Sequence, residues 1–167
     1  MNSRCVVVIG HVDHGKTSLV RALTGTETDR LPEEKARGLS ITPGFAHRTY
    51  PEGVIDFVDA PGHADFIQAM IAGASGAQAA LIVISLADGI GAQTREHLAI
   101  AGLLGISKAA VAITKSDALN PADWPERLSD IRAALAQTPF ASEPLVVCSA
   151  QTGDGIDALH DLSLIHI

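Results

Sequence analysis

Eight residues near the N-terminus, Gly10-His11-Val12-Asp13-His14-Gly15-Lys16-Thr17, have the types and spacing of a phosphate-binding loop, GxxxxGK[ST]. Glycines let backbone N–H groups wrap a phosphate, and a helix opening behind the loop adds partial positive charge. Asp13, His14 and Gly15 would wall such a loop. The Lys16 ammonium would reach the β- and γ-phosphates, and the Thr17 hydroxyl would ligate Mg²⁺. A second string, Asp59-Ala60-Pro61-Gly62-His63, follows the β-branched run Val54 to Val58. A carboxylate at that strand end can hold Mg²⁺ through water, and Gly62 can turn its N–H toward a γ-phosphate because it has no side chain.

A third string, Thr114-Lys115-Ser116-Asp117, follows the apolar run Ala109 to Ile113. The Asp117 carboxylate can accept both N1–H and the exocyclic amine of guanine. Adenine offers no such donor pair, so the site would choose GTP over ATP and disfavour a kinase or ATPase reading. The Lys115 stem can lie over the base. Ser149-Ala150-Gln151-Thr152-Gly153 can offer a backbone N–H to the guanine carbonyl. Alone, DxPG and TKxD strings are ordinary turns. Four such elements in this order, each at a strand end, converge on one Mg²⁺-dependent guanine-nucleotide site.

The elements that must position these residues alternate. Strands are expected over Cys5–Ile9, Thr42–Tyr50, Val54–Asp59, Ala80–Leu86, Ala109–Thr114 and Leu145–Cys148, and helices over Lys16–Leu23, Ala64–Ala72 and Thr94–Leu104. Pro51-Glu52-Gly53 joins two of the strands as a hairpin. Asp123-Trp124-Pro125-Glu126 has the form of a capped helix start, with Leu128, Ile131 and Leu135 at helical spacing. A last helix begins at Gly155. The stretch Thr26 to Gly38 is polar and without period. Alternating strands and helices imply an α/β fold: a three-layer P-loop NTPase architecture, with a mainly parallel six-stranded sheet and one antiparallel edge strand.

At 167 residues the chain is one domain, large enough for a core without disulfides. Aromatics are 4% of a 47% hydrophobic composition, so that core is aliphatic. A net charge of -7 argues against a domain that grips RNA by itself. Cys5 and Cys148 lie in apolar runs without CxxC spacing and read as packed thiols. His47, His97 and His160 have no ligand spacing, and Glu126, Arg127, Asp130 and Arg132 read as a solvated helix face. No signal peptide or membrane span is evident, so a cytoplasmic protein without membrane contact is expected.

The strings His11-Val12-Asp13-His14-Gly15-Lys16-Thr17, Asp59-Ala60-Pro61-Gly62-His63 and Gln93-Thr94-Arg95-Glu96-His97 resemble those of translational GTPases, over Val6 to about Leu159. The short stretch Thr28-Asp29-Arg30-Leu31-Pro32-Glu33-Glu34-Lys35-Ala36-Arg37-Gly38, and Thr114 where elongation factor Tu has asparagine, are similar to selenocysteine-specific elongation factors. The gamma subunit of initiation factor 2 is the alternative resemblance; the other alternative functions are an elongation factor Tu-like GTPase and a truncated nucleotide-binding module without useful catalysis. The resemblance implies that His63 orients the attacking water, with Val12 and Leu39 as an apolar gate holding it back. It implies that Ser40 ligates Mg²⁺ beside Thr17 and Asp59, and that Asp13 helps place a monovalent cation. It further implies GTP and GDP as ligands, the ribosome and selenocysteinyl-tRNA as partners, and a monomer. Serine at position 40 keeps the hydroxyl but loses a methyl, so a less rigid closed switch is expected. Thr114 cannot offer an amide, so lower guanine affinity and faster exchange are expected.

Residues 1–161 are expected to form the GTP-binding domain. The end, Leu162-Ser163-Leu164-Ile165-His166-Ile167, resembles the translation of a transposon-based sequencing adapter. Residues 162–167 are therefore expected to be a non-native tail, with downstream domains missing.

Overall fold

Side-chain alternation along the first apolar run decides how the molecule is layered. Val6 and Val8 turn to one face of a sheet, Val7 and Ile9 to the other, and all four are buried. A strand buried on both faces needs helices above and below it, the arrangement of a parallel sheet. The computed structural model describes residues 2–29, 31–37, 41–63 and 67–166. Its strands are β1 (Asn2–Gly10), β2 (Gly44–Tyr50), β3 (Gly53–Asp59), β4 (Ala79–Ser85), β5 (Ala109–Thr114) and β6 (Leu145–Val147). They form one six-stranded sheet in the order β2-β3-β1-β4-β5-β6. Only the β2–β3 pair is antiparallel, which makes β2 the expected antiparallel edge strand.

The helices are α1 (Lys16–Thr24), α2 (Pro32–Arg37), α3 (Ile67–Ala74), α4 (Ala92–Leu103), α5 (Trp124–Leu135) and α6 (Ile156–His166). Leu19, Val20 and Leu23 of α1 and Leu159 of α6 cover one face of the sheet, against Val6, Val8, Leu81 and Val83. Met70 of α3, Leu98 of α4, and Ile131 and Leu135 of α5 cover the other, against Val7, Ile9, Ile82 and Ile84. The two clusters are the outer seams of a three-layer sandwich. Burial raises the Cys148 thiol to about 11 and also raises Cys5, so both remain packed, protonated thiols.

Chain direction then places the site. From β1 the chain crosses to β2 and β3 on one side of the sheet, then returns to lay β4, β5 and β6 on the other. The loop after β1 thus lies at the topological switch point, where crevices form at the carboxyl ends of strands. The exit from β1 is tight: a Cβ on Gly10 would stand 2.3 Å from the Val83 carbonyl oxygen.

Two local expectations change. The polar stretch before β2 contains a helix, α2, which has only six residues and no hydrophobic stripe. Glu34 holds it: one carboxylate oxygen accepts from Leu31 N–H at 3.0 Å, the reach-back half of a capping box. The other accepts from the N–H groups of Ile41 and Thr42, both at 3.1 Å. Asp123 does not cap α5, because its own backbone is already helical and its side chain makes no cap bond. Asn120 instead caps the 3₁₀ turn ahead of it, accepting from Ala122 N–H at 3.1 Å. The expected helix over Ala64–Ala72 is described only from Ile67, and residues 64–66 lie outside the described set. Among the described residues, no helix is long and apolar enough to cross a membrane.

Candidate nucleotide site

The loop between β1 and α1 is held from both sides. Gly15 precedes α1 in a left-handed conformation (φ 85°) and gives the helix no side-chain cap, as a helix start that receives a phosphate requires. The non-glycine residues with left-handed backbones among those described are Asp13 and Lys115, at φ 63° and 58°. They meet, because the Lys115 ammonium donates to the Asp13 carbonyl. The buried Thr114 hydroxyl donates to the His14 carbonyl at 2.6 Å. Thr114 therefore ties β5 to the phosphate loop, a role its spacing did not reveal. Ser85 N–H, at the end of β4, donates to His14 Nδ1 at 3.2 Å. That bond requires Nδ1 to be unprotonated and fixes the tautomer. Burial holds the His14 pKa down at about 4, and the nearby His11, Lys16 and Lys115 push the same way against Asp88.

Lys16 is buried, and its ammonium donates to the His11 carbonyl at 3.0 Å. Burial lowers its pKa, while Asp59, Asp13 and Asp29 oppose the shift. Gly62 presses on it from the far side. A Cβ there would stand 2.3 Å from Lys16 Nζ, 2.6 Å from the Gly10 carbonyl oxygen and 2.9 Å from Val12 N. The glycine is required by this close approach rather than by its backbone angles.

Asp59 closes the floor at the end of β3. Its Oδ2 accepts from two hydroxyls, Thr17 and Thr28, each at 2.7 Å. Its Oδ1 is buried and has no hydrogen-bond partner among the described residues. Burial raises the Asp59 pKa, opposed by the two threonine bonds and Lys16. A hydroxyl that donates its proton to a carboxylate keeps its lone pairs for a cation. Thr17 and the open Oδ1 thus fit a hard divalent ion. Among the described residues no three His, Cys, Asp or Glu side chains converge on a metal. Such an ion would take its other ligands from phosphate and water, the habit of Mg²⁺.

On the other side of Lys115 lies the candidate base site. Asp117 Oδ1 accepts from Ser149 Oγ at 2.6 Å, which orients the carboxylate. The loop after β6 satisfies most of its own backbone. Ser149 N–H donates to the Asp154 carbonyl, Gly153 N–H to the Ser149 carbonyl, and Thr152 N–H to Ser149 Oγ. Ala150 and Gln151, the next two residues of that loop, line the cavity beside Asp117.

Two cavities lie side by side along this line. One, of about 710 Å³, is lined by Thr114, Lys115, Asp117, Ser149, Ala150 and Gln151 among others. The second, of about 630 Å³, is lined by Val12, Asp13, Lys16, Thr17, Gly62 and His63 among others. Gly15, Ser18 and Lys115 line both. Their combined shape suits a base at one end and a polyphosphate at the other. Ser40 and Leu39 lie outside the described residues.

Three features escaped the sequence reading. Thr28 is a lone hydroxyl in an aperiodic stretch, and nothing in its spacing signals Asp59. Glu34 carried the signal of a capping box, with an acid three residues after Leu31. His97 is buried, its ring lies near the Gly10 backbone, and burial lowers its pKa. Its neighbours Gln93 and Thr94 each hold a buried oxygen with no partner among the described residues.

Residues 1–167 match the family described as Elongation factor Tu GTP binding domain. The selenocysteine-specific elongation factor of Escherichia coli (strain K12) is 45% identical over 157 residues, 93% of this chain and 26% of that protein. Among solved structures, a bacterial selenocysteine-specific elongation factor, EF-Sec, superposes with a TM-score of 0.93 at 38% identity, covering 98% of this chain and 28% of that one. Translation elongation factor SelB from Methanococcus maripaludis, in complex with the GTP analogue GppNHp, superposes with a TM-score of 0.83 at 32% identity, covering 98% and 34%. The chain spans about a quarter of the length of the curated relatives it matches.

The His14 environment predicts an acid instability. Its folded pKa of about 4 lies below the ordinary 6.5, so protonation favours the unfolded chain. The contribution is complete above pH 6.5 and is lost as pH falls toward 4. It amounts to about 3 kcal/mol. His14→Asn keeps an acceptor for Ser85 N–H but does not titrate. Urea unfolding between pH 7 and 4 should show the wild type losing about 3 kcal/mol more than the variant. Parallel losses would contradict the buried, neutral imidazole.

Proposed function

The chain belongs to the elongation factor Tu GTP-binding domain family, and from that premise we propose that it is the GTP-binding and GTP-hydrolysing switch of a selenocysteine-specific elongation factor. The observation that carries this reading is the pair of adjoining cavities, with Asp117 in one and Lys16, Gly62 and His63 in the other.

Asp117, held by Ser149, accepts the two guanine donors, and the Lys115 stem covers the base. A backbone N–H of the loop of residues 149–151, which lines the same cavity, serves the guanine carbonyl. Lys16 meets the β- and γ-phosphates, and its burial makes the ammonium an eager partner for an anion. Asp13, His14 and Gly15 shape the loop around them. Bound Mg²⁺ neutralises phosphate charge, with Thr17, Ser40 and Asp59 as its protein groups. Asp13 also helps place a monovalent cation. His63 orients the attacking water, and Val12 with Leu39 keeps it back until the ribosome engages. Catalysis of this kind is positioning and electrostatics, so the chain alone turns over slowly. Delivery of selenocysteinyl-tRNA to the ribosome belongs to the whole factor, acting as a monomer in the cytoplasm, of which residues 1–161 are the nucleotide switch. α6 continues through residue 166, and Leu162 packs partly buried against the α1-side core.

Two outcomes test this. Asp117→Asn places an amide donor against guanine donors and should weaken GTP binding about a hundredfold in a competition assay, the loss of hydrogen bonds to a charged acceptor. Equal binding of ATP and GTP by the wild type would refute guanine selection. His63→Ala should lower ribosome-stimulated single-turnover hydrolysis about a hundredfold or more while GTP affinity holds. An unchanged stimulated rate would remove His63 from its role, and no stimulation of the wild type would favour a binding module without useful catalysis.

A further inference from the structure

Resting on that reading of the nucleotide site, we propose that Thr28 is a positioning residue for the metal-holding carboxylate. It links the segment ahead of α2 to Mg²⁺ affinity. Thr28 belongs to none of the nucleotide-binding strings. Its side chain is 4% exposed, and its hydroxyl donates to Asp59 Oδ2 at 2.7 Å. A carboxylate turns easily about its last torsion. One donor, Thr17, leaves that rotation loosely set. A second donor on the same oxygen fixes it and keeps Oδ1 as the oxygen presented to a cation or its water shell.

The threonine is itself backed into place. Gly44, the first residue of β2, lies so near that a Cβ there would stand 2.5 Å from Thr28 Cβ and 2.9 Å from its carbonyl oxygen. Glycine at position 44, the register partner of Asp59, thus leaves the room that lets Thr28 sit beside the carboxylate. Outer-sphere partners of this kind tune metal affinity through the ligand they orient. The coupling is reciprocal: a cation that favours this rotamer of Asp59 also favours this position of Thr28.

The test follows release of a fluorescent GDP from the full chain while free Mg²⁺ is raised from EDTA to millimolar. Thr28→Val keeps the shape and removes the hydroxyl. It should raise the Mg²⁺ concentration for half-maximal GDP retention about tenfold. Thr28→Ala removes the same hydroxyl without packing demands and should give the same shift if the valine variant does not fold. Thr28→Ser should restore the wild-type midpoint. In EDTA all folded variants should release GDP at the wild-type rate. An unchanged midpoint in the hydroxyl-free variants would overturn the proposal. So would faster release that is the same with and without Mg²⁺, which would leave Thr28 a packing residue only. A wild type that retains no GDP at any Mg²⁺ concentration would fail on different grounds, removing the nucleotide reading and this proposal with it.

Discussion

A buried carboxylate satisfied on one side only is the constraint around which the rest of the structure is arranged. Asp59 is 1% exposed; two threonine hydroxyls occupy Oδ2 while Oδ1 has no partner among the described residues. Leaving a buried charged oxygen unpaired costs free energy, which nearby positive charge or a bound cation offsets. Lys16 supplies part of that compensation, and each of the two groups shifts the other toward its charged form. The site is thus stored as an unmet demand. Its three contributors come from α1, β3 and the segment before α2, so filling it draws together parts of the chain that are far apart in sequence.

The sheet makes this convergence possible. Parallel strands deliver their carboxyl ends to one edge, and the reversal of strand order beside β1 opens the crevice there. On the β3 side, Gly62 packs so closely on Lys16 and Gly10 that no side chain fits between them. On the other side, Ser85, Thr114 and Lys115 reach from β4 and β5 to grip His14 and Asp13. The left-handed backbones at Asp13 and Lys115 are the local cost of that grip, and they are sustained because the surrounding ties over-determine them.

Much of this was legible in residue order alone. Strings such as Gly10 to Thr17 carry their geometry with them, because the loop, the strand before it and the helix after it are adjacent in sequence. The strands were legible for the same reason, since period and burial are local properties. What stayed hidden depends on partners distant in the chain. Thr28 meets Asp59 across 31 positions, and Thr114 meets His14 across 100. Helix α2 lacks the hydrophobic stripe that betrays longer helices, and it stands on one glutamate that also grips Ile41 and Thr42. The Asp123 cap failed because a 3₁₀ turn capped by Asn120 had already set its backbone. His97 looked unremarkable by spacing, yet the packing of α4 against β1 buries it.

The most direct measurement is a crystal structure of the chain with a non-hydrolysable GTP analogue and Mn²⁺, read by anomalous scattering. One strong peak is expected between the Thr17 hydroxyl and Asp59 Oδ1, with the guanine edge on Asp117. A peak elsewhere, or a base turned away from Asp117, would contradict this reading of the site.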